Sequence, residues 1–184
     1  MPIVIGIVIV LLAAVLVFFI ANYNGLVQLR NRVRDQWSQI DIQLKRRFDL
    51  VPNLVEVVKG YAKHEKETLE NVVKARNAYQ AATTPEEQMK ADGELNKTLS
   101  KLFALAEAYP DLKANENYLE LQTELSNIEE KISSARQFYS DSVLNYNNKV
   151  QMFPSNLVAS IFGFGEEKYF EANSEERENV KVEL

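Results

Sequence analysis

Residues 115–152, NENYLELQTELSNIEEKISSARQFYSDSVLNYNNKVQM, decide how the chain folds. Their apolar side chains step by threes and fours through Tyr118, Leu121, Leu125, Ile128, Ile132, Ala135, Tyr139, Val143, Tyr146 and Val150, and Phe153 follows in register. A turn of 3.6 residues gathers that series onto one stripe of an α-helix, with glutamates, serines and asparagines on the other faces. A stripe of this length must be buried from end to end, so the stretch predicts a long helix from about Asn115 to Met152 with partner helices beside it.

Toward the N-terminus, Tyr109-Pro110-Asp111 interrupts the pattern, because a proline restricts the residue before it and cannot continue a helix. A helix over 85–108 precedes it, burying Met89, Leu95, Leu99, Leu102, Phe103 and Ala106. Its start is marked by Thr84-Pro85-Glu86-Glu87: threonine as N-cap, proline at the first helical position, and a glutamate that completes a capping box. Further back, Leu26, Leu29, Val33, Trp37, Ile40, Leu44, Phe48, Val51, Val55 and Val58 form another stripe, continued by Leu69, Val72, Val73, Ala75 and Tyr79. Pro52 removes one backbone donor but leaves the register intact, which predicts a kinked helix with arms 24–50 and 52–80 and a weak point at Gly60. Short links at 82–85 and 109–114 favour antiparallel neighbours. The fold expected is all-α, an elongated antiparallel bundle of about four helices.

Ahead of the bundle lies Ile3–Ala21, IVIGIVIVLLAAVLVFFIA, nineteen residues without a charge. As a helix it would cover roughly 28 Å, close to the hydrocarbon thickness of a bilayer. A signal peptide would carry a basic start and small residues at its cleavage site, yet only Met1 and Pro2 precede the run and Phe18-Phe19-Ile20 close it. The stretch therefore reads as a retained anchor, residues 1–22, touching lipid through residues 3–21. Arg30, Arg32, Arg34, Lys45, Arg46 and Arg47 follow it against only Asp35 and Asp41. Basic flanks stay cytoplasmic, so the N-terminus is expected outside and the rest in the cytoplasm.

The net charge of −5 disfavours nucleic acid as a partner. It is unevenly placed: residues 165–184 carry seven acids against three bases, opposite in sign to residues 22–47. The chain has no cysteine, six glycines and five prolines, which suits a helical protein in a reducing compartment. Beyond the bundle domain, 23–153, residues 154–184 form a tail of three parts. Ser155 is the expected N-cap of an apolar patch at 157–164 that Gly163 and Gly165 end; acidic Glu166–Glu178 follows; Val180–Leu184 alternates like a strand.

Several runs resemble the bacterial LemA family. They are Tyr23-Asn24-Gly25-Leu26-Val27, Gln39 through Arg47, Asp49 through Val55, Val58 through Tyr61, Glu107 through Ala114, Leu121 through Leu125, Ala135-Arg136, Tyr146-Asn147 and Phe153-Pro154-Ser155-Asn156. The resemblance spans roughly residues 23–170 in order. It implies a single-pass inner-membrane protein with a cytoplasmic helical bundle, no attached enzymatic activity, and a membrane zinc metalloprotease of protein quality control as a possible partner.

His64-Glu65-Lys66-Glu67-Thr68 opens like a zinc-protease helix, but the second ligand position holds Thr68, and His64 is the sole histidine. Tyr61 stands where a Glu-x-x-His di-iron motif needs a glutamate. There is no G-x-S-x-G elbow and no phosphate-binding loop. Neither a cofactor nor a small-molecule substrate is expected, and the chain reads as a non-enzyme. Two stretches exceed ordinary surface. Lys45-Arg46-Arg47 is either a solvated basic face or a dock for an acidic partner or tail. Leu157, Ile161, Phe162 and Phe164 either cap the bundle or form a contact with lipid or protein. The function expected is a membrane-anchored scaffold that assembles with copies of itself; the alternatives are an adaptor for one membrane client and a protein that remodels the membrane surface.

Overall fold

The computed structural model describes residues 1–170. These contain six helices and, among the described residues, no strand: α1 Pro2–Tyr61, α2 Lys66–Ala81, α3 Pro85–Ala106, α4 Pro110–Lys113, α5 Glu116–Gln151 and α6 Ser155–Phe162. The all-α expectation holds, and the anchor and first bundle helix are one uninterrupted element. The strand-like Val180–Leu184 and most of the acidic tail lie outside the described residues. The described chain divides into two compact units, residues 40–134 and residues 1–39 with 135–170.

The unit of residues 40–134 is built around Val51, Leu54, Val58, Val72, Leu95, Leu102 and Leu112, each with almost no solvent exposure. Its helix directions follow from side-chain pairs. Asn115 at the head of α5 donates to the Tyr61 hydroxyl at the foot of α1, at 3.0 Å, while Arg47 of α1 reaches Glu129 of α5. These two helices are therefore antiparallel here. Tyr79 near the end of α2 donates to Asp41 at 3.2 Å, which makes α1 and α2 antiparallel as well. Burial first, and then the Asp41 carboxylate, raise the Tyr79 hydroxyl well above the usual phenol value, so it stays a donor.

One boundary differs from expectation. The arm read as 52–80 is broken: α1 ends at Tyr61 and α2 begins at Lys66. Ala62 donates to Val58 O at 2.8 Å and Glu65 to Ala62 O at 3.1 Å, closing a tight reversal. The stripe hid the turn because Val58 before it and Leu69 and Val72 after it are buried in the same core. His64, expected on a helix surface, sits exposed in this turn.

At Pro52 the helix continues, as its register required. Proline leaves the carbonyl four residues earlier, that of Phe48, without its helical donor. Arg76 of α2 reaches it, with Nε 3.5 Å from Phe48 O and the guanidinium 4.1 Å over the Phe48 ring. Pro52→Ala is expected to stabilise the protein, and Arg76→Ala to cost about 1 kcal/mol less in that background than in the parent, since the carbonyl regains a backbone donor. Denaturant titration of the four-membered cycle checks this; equal costs in both backgrounds would remove the compensation.

The capping box is present. Glu87 N–H donates to Thr84 Oγ1 at 3.2 Å, and the Glu87 carboxylate accepts from the Thr84 and Thr83 amides at 3.2 and 2.9 Å. These donors, the Thr83 amide foremost, hold the Glu87 carboxyl below its ordinary value. A depressed folded pKa stabilises above the unfolded value near 4.3, and that benefit fades as pH falls through the folded one. Glu87→Gln should therefore lower Tm at pH 7, and the gap from the parent should close in acid below about pH 4. A gap that is constant with pH would mean the charge is immaterial.

In the unit of residues 1–39 and 135–170, packing begins at Phe18, and each of residues 1–17 is exposed. Leu26, Val33, Tyr139, Val143, Tyr146, Val158 and Ala159 are buried, and Trp37 packs edge-on against Tyr139 with ring centres 5.7 Å apart. Gly25 admits the stem of Lys149, whose Cε would lie 3.9 Å from an added Cβ. Ser155 does not cap α6. It is the first helical residue, buried, and its hydroxyl donates back to Met152 O at 2.9 Å, leaving Pro154 at the cap.

Candidate functional site

Three groups of residues stand out, and each grows from a local feature of the sequence. The first is the apolar run. Ile3, Val4, Ile5, Leu11, Leu12 and Leu16 are all exposed by more than half, in a helix long and apolar enough to cross a membrane. No other described helix has that length and composition.

The second group sits where this run ends. The Tyr23 ring meets Phe162 and Phe164 edge-on, with centres 4.9 and 5.6 Å away, and Arg30 of the next turn but one lies 4.8 Å over Phe164. Gly163, at φ 70°, makes this possible. It ends α6 in the left-handed conformation, and the Phe164 amide turns back to Ala159 O at 2.9 Å. The chain then runs along α5. Asn147 exchanges two hydrogen bonds of 2.9 Å with the Glu167 backbone, and Tyr139 donates to Lys168 O at 2.9 Å. Of the residues expected to make contacts, Leu157, Ile161 and Phe162 are indeed exposed, whereas Phe164 is buried under Arg30 and beside Tyr23. Phe164 is thus a clamp within the fold, a correction to its expected place on the contact surface.

The third group splits the basic stretch. Lys45 and Arg46 are exposed. Arg47 is 2% exposed and turned inward, so it cannot serve a docking face. Its Nη1 donates to Asn96 Oδ1 at 2.6 Å and Glu129 Oε2 at 2.5 Å, and its Nη2 pairs with Asp92, itself buried. The helical period explains the division. Arg47 follows Leu44 by three and precedes Val51 by four, on the buried stripe, while its two neighbours point outward. Asp92 likewise falls three before Leu95 on the inner face of α3, a polar residue in a core position. That misplaced acid was the one available hint of a buried ion pair. Asn96 and Glu129 left no such sign.

Chemically, a guanidinium held by two carboxylates and an amide fastens α1, α3 and α5 to one another. No group of three or more His, Asp or Glu side chains is placed to hold a metal ion among the described residues.

The family model described as LemA family matches residues 36–184. Protein LemA of Metamycoplasma hominis is 28% identical over 166 residues, covering 88% of this chain and 74% of its own length. Magnetosome protein MamQ of Magnetospirillum gryphiswaldense is 24% identical over 185 residues, covering 86% of this chain and 68% of its own. Magnetosome protein MamQ 2 of Paramagnetospirillum magneticum is 24% identical over 176 residues, covering 82% and 65%. The chain thus spans about two thirds to three quarters of the length of these relatives. With an exposed span-length apolar helix in front of packed helices, and a family model matched over most of its residues, this chain belongs to the LemA family.

Proposed function

We propose that the chain is a membrane-tethered helical scaffold that assembles with copies of itself and carries out no reaction of its own. Residues 3–21 cross the bilayer with the N-terminus outside, and the remainder stands in the cytoplasm. The observation that carries this reading is α1, which runs without a break from exposed apolar residues into the buried seam of a packed bundle. The basic residues that follow the apolar run set its direction. Exposed Lys45 and Arg46 offer positive charge to an acidic tail whose sequence, Glu171 through Leu184, holds five glutamates against two bases.

The test is the mass in nanodiscs, by light scattering, of the full chain and of a form ending at Phe170. That end point retains every described contact of residues 164–170 with α1 and α5. A discrete oligomer that falls to a monomer on truncation is the expected result. A full-length monomer would overturn self-assembly, and an adaptor for a single membrane client would then be the better account.

A further inference from the structure

We infer that α6 is an interfacial helix, its outer face lying in the headgroup region of the same bilayer that α1 crosses. The inference rests on the anchor reading above and adds to it a second site of contact with lipid.

Depth is set by α1. Ala21 ends the apolar run, and Tyr23 stands two residues on, about 3 Å further along a helix axis. That is the level at which tyrosine rings collect at a membrane boundary. Phe162 touches the Tyr23 ring, so the end of α6 is pinned to the same level. Asn22, between Ala21 and Tyr23 in the sequence, turns its amide back to Phe18 O at 2.9 Å, which satisfies a donor inside the helix rather than in solvent.

The composition of α6 fits that depth. Ser155, Val158 and Ala159 face the protein. Leu157 and Ile161 stand on the opposite side, 50% and 65% exposed, while Phe162 at the helix end and Phe153 just ahead of the helix in sequence are 52% and 78% exposed. A helix facing water would carry charge there, yet residues 150–165 have no charged side chain. Leu157 and Ile161 are one turn apart on a single face, as a shallow insertion requires. Cations stand just beyond: Lys149 lies beside Gly25, and Arg30 is about two turns past Tyr23. Apolar residues at the boundary with lysine and arginine behind them suit anionic headgroups. The surface is continuous with the anchor through Tyr23, which favours lipid as its occupant over a second protein.

The chain contains no cysteine, so single substitutions give one spin label each. Leu157→Cys and Ile161→Cys are both at exposed positions, and circular dichroism checks that helicity is retained. In nanodiscs containing anionic lipid, Ala14→Cys reports the anchor and Asp141→Cys, on the exposed side of α5, reports water. Labels at 157 and 161 are expected to relax faster with oxygen than with a water-soluble nickel chelate, in the direction of position 14. Labels that behave like position 141, or that are shielded from both reagents by protein, would overturn the inference while position 14 upholds the anchor. A label at position 14 that meets the nickel chelate would overturn the anchor reading itself.

Discussion

Asp92→Ala is expected to destabilise the protein by about 3–5 kcal/mol, among the largest effects available from a single polar residue. Arg47 and Asp92 are both almost entirely buried, and removing the acid takes a buried carboxylate from a guanidinium inside the bundle, whose Asn96 and half-exposed Glu129 contacts remain. Arg47→Met should cost about as much, since the buried Asp92 carboxylate would lose the Arg47 guanidinium. The double variant Arg47→Met, Asp92→Leu should recover most of that loss, because a well-packed apolar pair avoids the desolvation of both charges. Arg47→Lys is expected to fail like Arg47→Met, since one ammonium cannot reproduce a planar fork shared among α3 and α5 partners. Urea denaturation followed by circular dichroism gives all four values. Single variants within 1 kcal/mol of the parent would mean that water reaches the pair in solution.

That pair also shows what was legible in the sequence. Periodicity located the helices, because burial of Tyr118, Leu125, Ile128, Ile132, Tyr139, Val143 and Tyr146 follows directly from their spacing. The capping box was legible too, since Thr84 and Glu87 are three residues apart and their bonds depend on nothing distant. The turn at 62–65 was not, because core positions on either side kept the same beat with no proline or cap between them. Arg47 was taken for surface because it sits in a run of three bases. Its partners Asp92 and Glu129 are 45 and 82 residues away, and only tertiary packing brings them together. The clamp of Phe164 on Tyr23 and Arg30 was hidden for the same reason.

The second large effect is expected from Leu102→Asp. Leu102 is fully buried in the cluster formed with Leu54, Leu95, Leu99 and Leu112. Leu102→Ala should cost about 2–5 kcal/mol for lost transfer and a residual cavity. Aspartate adds a carboxylate in an apolar setting, and the sum approaches the whole stability of an ordinary domain, about 5–15 kcal/mol. The unit of residues 40–134 is therefore expected to lose its helices outright. Leu119→Asp, at a half-exposed position of α5, should stay within about 0.5 kcal/mol of the parent and serves as the matched control. Trp37, the sole tryptophan, packs on Tyr139 in the other unit and gives that unit its own signal. Because α1 and α5 pass through both units as single helices, Trp37 emission should shift to the red together with the loss of ellipticity. An unshifted Trp37 beside a halved helix signal would show that the two units fold separately, and that the one holding Trp37 stands without the other.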